Sequence, residues 1–378
     1  MTENYTPTRL LEVTSGELAE LRRRVRDTRW APEWPPVEGR AGTDAALLRR
    51  LARYWADGFD WPAQEREIAA LPAFEAVIDG TPVRFLKFDA ERPGGLPLIA
   101  TNGWPSTILE MVTLARLLSA PSRYGLDLTP RTVVVPAIPG LPFSPPRPRL
   151  GEQTHELWHR LMHEVLGFER YASHGGDLGA GITSRLAQAH PEAVAGIHLM
   201  AVAGPADPDP AGLTPDERDH LAAIALWEKE EGAYEHQQQT RPLSLAPALS
   251  DSPVGLLAWI VEKYDAWSDD DGDVSTRFSD DALLTQASAY WFTNSASTSL
   301  RPYYEFAHGQ TTPIRSVTVP TAVAVFPHDL VQPPREWAER SYRVVRYTRF
   351  PRGGHFAPHE EPELLAADIA TFLDELER

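Results

Sequence analysis

Two kinds of hydrophobic pattern divide the chain. Short, mostly apolar runs, such as those at 97–101, 132–136, 196–202 and 319–327, alternate with longer stretches in which apolar residues recur every three or four positions. The short runs indicate buried β-strands, and the longer stretches indicate amphipathic α-helices. Strands that alternate with helices are typical of a mostly parallel, doubly wound sheet with right-handed crossovers. We therefore predict an α/β fold.

The alternation is interrupted in two places. The amino-terminal part reads as helices and turns, with two amphipathic helices joined by a proline-rich link at 31–39. A long aromatic-rich helical stretch later separates two groups of strands, as expected of a lid over a hydrophobic pocket. We predict an amino-terminal helical segment that wraps the core, a first core part, a helical lid insertion and a second core part, at residues 1–75, 76–204, 205–312 and 313–378.

Composition narrows the classes of function. The 378 residues carry a net charge of −17, which argues against nucleic acid and anionic membranes as partners. The chain has no cysteine, which excludes disulfides and thiolate metal sites. No apolar run approaches the roughly 18 residues that span a bilayer, and the first residues lack the pattern of a signal peptide. Only three of the 36 basic residues are lysine, a bias typical of GC-rich genomes. We expect a bacterial, cytoplasmic and soluble protein.

One stretch carries a catalytic pattern. Gly175-Gly176-Asp177-Leu178-Gly179 lies between a predicted strand and a predicted helix, and it has the form G-x-Nuc-x-G with aspartate where hydrolases often carry serine. A sharp strand-to-helix turn strains its central residue, so only small neighbours fit around it. The turn holds that side chain beside a helix amino terminus, which favours an anion. We predict Asp177 as a nucleophile; the simpler alternative is that Asp177 caps the helix.

Two further ionisable residues follow later core strands. Asp329 lies in F-P-H-D, and His355 lies in R-G-G-H-F. Nucleophile, acid and histidine is the chain order of the α/β-hydrolase triad, and all three would lie at the carboxyl ends of strands, where open α/β sheets bind ligands. Taken singly, Asp329 has a simpler account as a cap and His355 as a loop histidine. Taken together and in this order, they indicate a catalytic triad.

Aspartate in place of serine changes the reaction that such a triad performs. A carboxylate is already ionised at neutral pH, and it displaces a leaving group at sp³ carbon to form an alkyl-enzyme ester. His355, oriented by Asp329, would then activate water to attack the carbonyl of that ester. We predict that the backbone N–H groups of Trp104 and Leu178 hold the oxyanion. This chemistry suits an epoxide or an alkyl halide.

Motifs spread over nearly the whole chain resemble epoxide hydrolases of the microsomal type, within the α/β-hydrolase superfamily. They are F-D-W in an amino-terminal epoxide-hydrolase segment, G-W-P, V-P-A-I-P-G-x-x-F-S, G-G-D-x-G, D-S-P-V-G-L-L-A-W-I-V-E-K and G-G-H-F-x-x-x-E-E-P-E-L-L-A-x-D-I. The resemblance implies an α/β-hydrolase fold and a cofactor-independent enzyme that converts an epoxide to a vicinal diol. It assigns the nucleophile to Asp177, the charge-relay acid to Asp329 and the base to His355.

The family also uses two lid tyrosines that protonate the epoxide oxygen. The surrounding motifs assign these to Tyr234, in G-A-Y-E-H-Q-Q, and Tyr303, in S-L-R-P-Y-Y, with Tyr304 as a competitor for the second position. A tyrosine acid suits an epoxide, whose oxygen becomes an alkoxide, better than a halide. The expected partners are a small hydrophobic epoxide and water, and a homodimer is compatible with the sequence.

Two residues depart from the family pattern. Asn102 replaces the histidine of H-G-W-P, and Leu178 replaces a tryptophan that is common after the nucleophile. Because backbone groups hold the oxyanion, we expect Asn102 to have a modest effect, on the anchoring of its loop. Leu178 removes bulk and an N–H donor from the pocket floor, so we expect a different substrate preference.

Two other functions stay open at this point. One is a haloalkane dehalogenase, which the lid tyrosines and the amino-terminal segment disfavour. The other is a hydrolase-fold protein that binds a hydrophobic ligand without turnover, which a complete triad disfavours. We expect no metal site: His155, His159 and His163 recur at helical spacing, but no metal-binding motif accompanies them, and a solvated helix face is the simpler interpretation.

Overall fold

The computed structural model describes residues 4–32, 34–35, 41–205 and 208–378. Much of the proline-rich link predicted at 31–39 therefore lies outside the described residues. Nine strands within the described part form one sheet. They are β1 (Thr6–Pro7), β2 (Ala73–Ile78), β3 (Thr81–Phe88), β4 (Leu98–Thr101), β5 (Val133–Pro136), β6 (Tyr171–Gly175), β7 (Val194–Leu199), β8 (Val317–Val325) and β9 (Tyr342–Arg349).

The sheet is mixed, and its larger part is parallel. Its strand order is β1-β2-β3-β5-β4-β6-β7-β8-β9. The strands from β1 to β5 in this order pair antiparallel, whereas every neighbouring pair from β5 to β9 is parallel. After β4 the chain forms β5 on one side of β4, and it then crosses to the other side to form β6. The direction in which strands are added therefore reverses at β4. Open α/β sheets bind ligands beside such a switch point.

Three helices precede the hairpin of β2 and β3. They are α1 (Ser15–Arg26), α2 (Ala45–Asp57) and α3 (Trp61–Ala69). Thr14 caps α1 through a reciprocal capping box with Glu17, and Asp44 caps α2. Trp55 and Trp61 on these helices are buried in the largest hydrophobic core of the molecule.

The helices that follow belong to two regions. The first three connect core strands: α4 (Val112–Ser119), α5 (Thr154–Arg160) and α6 (Leu178–Ala189). The next group lies between β7 and β8 and forms the lid: α7 (Pro215–Glu230), α8 (Ala233–Thr240), α9 (Pro242–Asp251), α10 (Pro253–Ala266), α11 (Asp280–Phe292), α12 (Ala296–Ser299) and α13 (Arg301–Ala307). The amino-terminal helix α2 holds the lid helix α11: Tyr54 donates to Asp281 at 2.8 Å, and the indole of Trp55 donates to Ser288 at 2.9 Å.

The last helices are α14 (Arg335–Glu339), α15 (Ala357–Glu360) and α16 (Pro362–Leu376). Side chains of the central strands alternate between two cores, because successive residues of a strand point to opposite faces. Leu98 and Ala100 enter the core shared with α4 and α16, whereas Ile99 enters the core shared with α6. Helices therefore cover both faces of the sheet, as the sequence pattern predicts.

The ends of several elements differ from the prediction by a few residues. The strand expected at 196–202 spans Val194–Leu199, and the strand expected at 319–327 spans Val317–Val325. In both cases the apolar run continues past the last residue that pairs with a neighbouring strand, into the loop at the carboxyl edge of the sheet. Apolar residues there pack under the lid, so hydrophobicity alone does not mark the end of the strand.

Among the described residues, no single helix is long and apolar enough to cross a bilayer. The helices α9 and α10 reach that length and apolar composition only together, and a bend of 116° separates them.

Candidate active site

Asp177 lies at the turn between β6 and α6. Its backbone angles, φ 49° and ψ −126°, belong to a region that residues other than glycine rarely adopt. Close packing explains the flanking glycines: a Cβ atom on Gly175 would lie 2.3 Å from the carbonyl oxygen of Gly179, and one on Gly179 would lie 2.1 Å from that of Thr101. The Asp177 side chain makes no capping hydrogen bond to α6. The alternative that Asp177 caps this helix is therefore wrong.

Two backbone N–H groups contact the Asp177 carboxylate. Trp104 donates to Oδ1 at 2.9 Å, and the N–H group of Leu178, the next residue along the chain, lowers the pKa of the carboxylate. Gly103 permits this approach, because a Cβ atom there would lie 2.3 Å from Oδ1 of Asp177. Burial raises the pKa of Asp177, while His355 and the two N–H groups oppose that rise. The structure thus brings both predicted oxyanion donors to the predicted nucleophile.

His355 lies between the other two members of the predicted triad. Its Nδ1 is 2.7 Å from Oδ1 of Asp329, and its Nε2 is 3.7 Å from Oδ2 of Asp177. Burial alone would lower the pKa of His355, but the carboxylates of Asp329 and Asp177 raise it to about 9. The backbone N–H of His355 donates to the carbonyl of Trp267 at 2.8 Å, which anchors the histidine loop under the lid. The two carboxylates therefore favour the imidazolium form of the ring.

Tyr234 on α8 and Tyr303 on α13 form the roof over Trp104. Their ring centroids are 6.2 Å apart, and the Tyr234 ring stacks on that of Trp104 at 5.4 Å. Among the described residues, the buried Tyr303 hydroxyl has no hydrogen-bond partner. Burial raises the pKa of both tyrosines well above the usual value, and the charge of Asp177 adds to the rise. Tyr304 is half-buried and stacks on a surface histidine instead.

Two cavities meet at Asp177. The larger, of about 490 Å³, lies between the lid and the core and is also lined by Leu178, Tyr234 and Tyr303. Further apolar walls come from Ile138, Val202, Trp227, Phe306 and Ile314. The smaller cavity, of about 10 Å³, is lined by Asp177 and His355 together with Asn102, Ser106 and Glu110. Its volume is that of about one water molecule.

Sequence analysis missed two buried charged residues beside this site. Burial raises the pKa of Glu110 to about 7, although Ser106 and His355 oppose the rise. The ammonium of Lys263 on α10 lies 4.3 Å from the ring centroid of Tyr234. Each had a signal in the sequence: Glu110 is the one acidic residue in N-G-W-P-S-T-I-L-E-M-V, and Lys263 lies in an apolar lid helix of a chain with three lysines. Neither signal states what the side chain contacts.

The two departures from the family pattern lie at the site. The Asn102 side chain donates to the carbonyl of Gly103 at 3.0 Å, so it braces the loop that carries Trp104. Leu178 is half-buried and forms part of the larger cavity wall. An aliphatic side chain there leaves the adjacent wall without a side-chain hydrogen-bond donor.

The three helical histidines do not gather around a common point. His155 is buried and lies 3.2 Å from Glu156, whereas the His159 ring stacks on His190 at 3.6 Å. His163 is exposed, as expected for a solvated helix face. That expectation is wrong for His155, whose side chain is buried in the protein. The described residues contain no group of three or more His, Asp or Glu side chains that could hold a metal ion.

Comparison with known proteins agrees with this architecture. The family model described as alpha/beta hydrolase fold matches residues 97–362, and the model described as epoxide hydrolase N terminus matches residues 6–111. The fold and the strand-end site define the protein as an α/β-hydrolase.

Individual relatives narrow the class. Epoxide hydrolase 1 of Oryctolagus cuniculus is 33% identical over 407 residues, which cover 97% of this chain and 88% of that protein. Juvenile hormone epoxide hydrolase from the silkworm Bombyx mori superposes with a TM-score of 0.86 at 27% identity, covering 99% of this chain and 95% of that one. The Aspergillus niger epoxide hydrolase gives 0.85 at 27% identity, with coverages of 100% and 97%. The chain belongs to the epoxide hydrolase family of α/β-hydrolase enzymes.

Proposed function

We propose that this enzyme opens a hydrophobic epoxide to a vicinal diol through a covalent ester at Asp177. One observation carries the proposal: Asp177, Tyr234 and Tyr303 line the same cavity. An oxirane needs a nucleophile at carbon and a proton at oxygen, and a carboxylate with two phenolic O–H groups supplies both. The activity named for the relatives of known sequence and structure supports the same reaction.

The first step is alkylation of the nucleophile. A carboxylate oxygen of Asp177 forms a bond to one ring carbon, the carbon–oxygen bond of the oxirane breaks, and its electron pair stays on oxygen. Tyr234 or Tyr303 donates a proton to that oxygen. Because burial raises the pKa of both hydroxyls, they keep their protons until the alkoxide, a stronger base, forms. The products of this step are an alkyl ester with a neighbouring hydroxyl group, and a tyrosinate.

Alkylation then prepares the base for the second step. The ester is uncharged, so the anion that helps to raise the pKa of His355 is gone. The imidazolium therefore releases its proton more readily, and this proton restores the tyrosinate. Neutral His355, oriented by Asp329 at 2.7 Å, is then ready to act as a general base.

The second step is hydrolysis of the ester. The small cavity beside His355 and Asp177 has room for about one water molecule, placed to lose a proton to Nε2 and attack the ester carbonyl. The N–H groups of Trp104 and Leu178 stabilise the resulting oxyanion. Collapse breaks the bond between the carbonyl carbon and the diol oxygen, which takes the proton from His355. Asp177 is then a carboxylic acid, and transfer of its proton to His355 restores the carboxylate and the imidazolium.

The reaction assigns a role to each proposed segment of the chain. Residues 76–204 supply Asp177 and the oxyanion donors, and 313–378 supply Asp329 and His355. Residues 205–312 supply the two tyrosines, and 1–75 hold the lid against the core. A haloalkane dehalogenase would have no use for two phenolic acids, because a halide leaves without a proton.

Diol formation tests the proposal directly. We expect the parent enzyme to form diols from members of a panel of small and bulky aryl epoxides, and Asp177→Ala to lose at least about 10³-fold in rate. Alanine is preferred to asparagine, which could deamidate to aspartate. Asp216→Ala, at an exposed position on α7, is the matched control and should keep the parent rate. Full activity in Asp177→Ala would refute the nucleophile, and a ligand that binds and is recovered unchanged would indicate a binding protein instead.

A further inference from the structure

The larger cavity follows one face of α6 away from the nucleophile. Leu178, Gly181, Ile182 and Arg185 all line it, and their spacing places them on one side of the helix. The distance along the helix axis from the first to the last is about 10 Å, at about 1.5 Å per residue. A substrate that reacts at Asp177 can therefore extend toward Arg185.

The guanidinium of Arg185 reaches back toward the reacting centre. A Cβ atom on Gly181 would lie 2.9 Å from its Nη1, so the missing side chain at 181 leaves the space that this group occupies. Its Nε donates to the carbonyl of Thr312 at 2.6 Å, and its Nη2 donates to Thr311 Oγ1 at 3.5 Å. Nη1 has no such contact with the described residues and lies over the cavity wall.

Arg185 differs from the other cavity arginines in its charge balance. Arg301 pairs with Glu305 at 2.7 Å, and Arg147 lies 3.6 Å from Glu152. Within the part of the chain that the structure describes, no carboxylate forms an ion pair with Arg185, and burial lowers its pKa. An unpaired, half-buried cation is costly, and it is unexpected in a protein of net charge −17, where carboxylates are abundant.

Two other carboxylates line the same cavity but do not neutralise this cation. Glu235 accepts a hydrogen bond from Gln239 at 2.8 Å, and burial raises its pKa. Glu228 is exposed on α7. Between Arg185 and the nucleophile the wall is formed by Gly181 and Ile182, which suits an aliphatic chain.

We propose that Arg185 is a carboxylate-binding subsite, and that the preferred substrates are epoxides with a carboxylate at the end of a short apolar chain. A guanidinium forms its strongest hydrogen bonds with carboxylates, and partial burial increases their strength. The inference rests on the proposed function, because it places the epoxide at Asp177 and the acid at Arg185. The competing account is that Arg185 only anchors the loop at 311–312.

Matched substrates separate the two accounts. Epoxy acids with saturated chains of increasing length are compared with their methyl esters, which have the same shape and no charge. We expect kcat/KM of the parent to favour the acid by about 10- to 100-fold at one chain length, mainly through KM, since hydrogen bonds to charged groups contribute about 1.5–3 kcal/mol. In Arg185→Met this ratio should fall to about one.

Two further variants identify the source of the effect. Arg147→Met removes a guanidinium that Glu152 already neutralises, so it should keep the preference for the acid. Gly181→Ala keeps the charge of Arg185 but displaces Nη1, so it should reduce the preference. Equal rates for acid and ester in the parent, or an equal loss on both substrates in Arg185→Met, would overturn the subsite and leave the loop-anchor account.

A measurement of binding affinity tests the subsite without requiring turnover. Calorimetry with Asp177→Ala, which cannot form the ester, measures the affinity for the acid and for its ester. Tighter binding of the acid, lost when Arg185→Met is added, supports the subsite even if no diol forms with the parent. Equal affinity for acid and ester refutes it even if the parent hydrolyses aryl epoxides.

Discussion

Tyr303 and Tyr304 are neighbours in the chain but lie in different environments. α13 turns Tyr303 into the cavity with Asp177, whereas Tyr304 stacks on His308 at 3.9 Å and does not line the cavity. A helix rotates by about 100° per residue, so two adjacent tyrosines cannot share one face. The sequence motif left this choice open, because it names both residues and carries no information on the rotation of α13.

Because Tyr303 lines the cavity and Tyr304 does not, removal of the Tyr303 hydroxyl should slow the reaction more than removal of the Tyr304 hydroxyl. Tyr303→Phe should lower the rate of alkylation by about 10²-fold, since proton donation to a leaving oxygen contributes at least that much. Tyr304→Phe is the matched control and should keep the parent rate. Single-turnover kinetics measures alkylation through the fluorescence of Trp104 and Trp267 near the site. A larger loss in Tyr304→Phe than in Tyr303→Phe would reverse the assignment.

The charge of His355 predicts the pH dependence of the second step. With Asp177 ionised the pKa of His355 is about 9, and the ester removes that anion, so the pKa should fall below 9 once the ester forms. The base must be neutral, so ester hydrolysis should decline as the pH decreases through this lowered pKa. Glu110 also raises the pKa of His355, so Glu110→Gln should move the half-maximal pH to a lower value.

Single-turnover rates of ester hydrolysis between pH 5 and 10 check this expectation. Glu339→Gln, at an exposed position on α14, controls for the loss of one surface charge. A half-maximal pH that stays near 9, or a shift to higher pH in Glu110→Gln, would contradict the proposed coupling.

At the scale of elements, α16 is joined to the sheet by one buried carboxylate. Asp368 lies 3.1 Å from His198 on β7 and accepts hydrogen bonds from Arg346 at 2.8 Å and Thr348 at 2.9 Å on β9. Burial alone would raise its pKa, but these partners lower the pKa to about 2. Asp368 therefore joins α16 to β7, which leads into the lid, and to β9, which precedes the histidine loop.

Removing this charge should destabilise the fold. Asp368→Asn keeps the size of the side chain but leaves buried donors without their anion, which we expect to lower the free energy of unfolding by about 3 kcal/mol. Asp251→Asn, which removes an exposed pair with Arg24, should change it by less than about 1 kcal/mol. Urea unfolding followed by fluorescence measures both. A loss in Asp368→Asn no larger than in the control would show that α16 is held by apolar packing alone.

Elements were predictable where one physical signal dominates. Buried strands such as β4 and β5 are short apolar runs between turns. The Asp177 turn was predictable because its flanking glycines are required: a Cβ atom on Gly179 would lie 2.1 Å from the carbonyl oxygen of Thr101. Strand ends under the lid were less predictable, since apolar residues continue into loops that the lid buries.

At the scale of the whole molecule, the site depends on contacts that are distant in the chain. Asp177, His355 and Tyr303 come from three separate regions, and the chain order of the triad was enough to predict that the first two meet. The sequence did not predict the roles of three charged residues, Glu110, Lys263 and Arg185. Their roles depend on how deeply each side chain is buried and on whether an opposite charge lies beside it. Burial and pairing are set by the packing of the lid on the core, which the sequence pattern does not describe.

In the proposed mechanism, the lid and the core divide the reaction between two cavities. The larger cavity would bring an epoxide to one side of Asp177 under the tyrosines, and the smaller one has room for about one water molecule beside His355. Asp177 borders both cavities, so the proposed ester would form where the substrate and the water meet. The mechanism therefore predicts a covalent intermediate at that residue.

Trapping that intermediate is the most direct measurement. His355→Gln retains the nucleophile and removes the base, so incubation with an aryl epoxide that the parent hydrolyses should increase the mass of the protein by one substrate, located by peptide mapping on Asp177. The double variant Asp177→Ala with His355→Gln should gain no mass. An adduct on another residue, or diol formation by His355→Gln at the parent rate without any adduct, would contradict the mechanism.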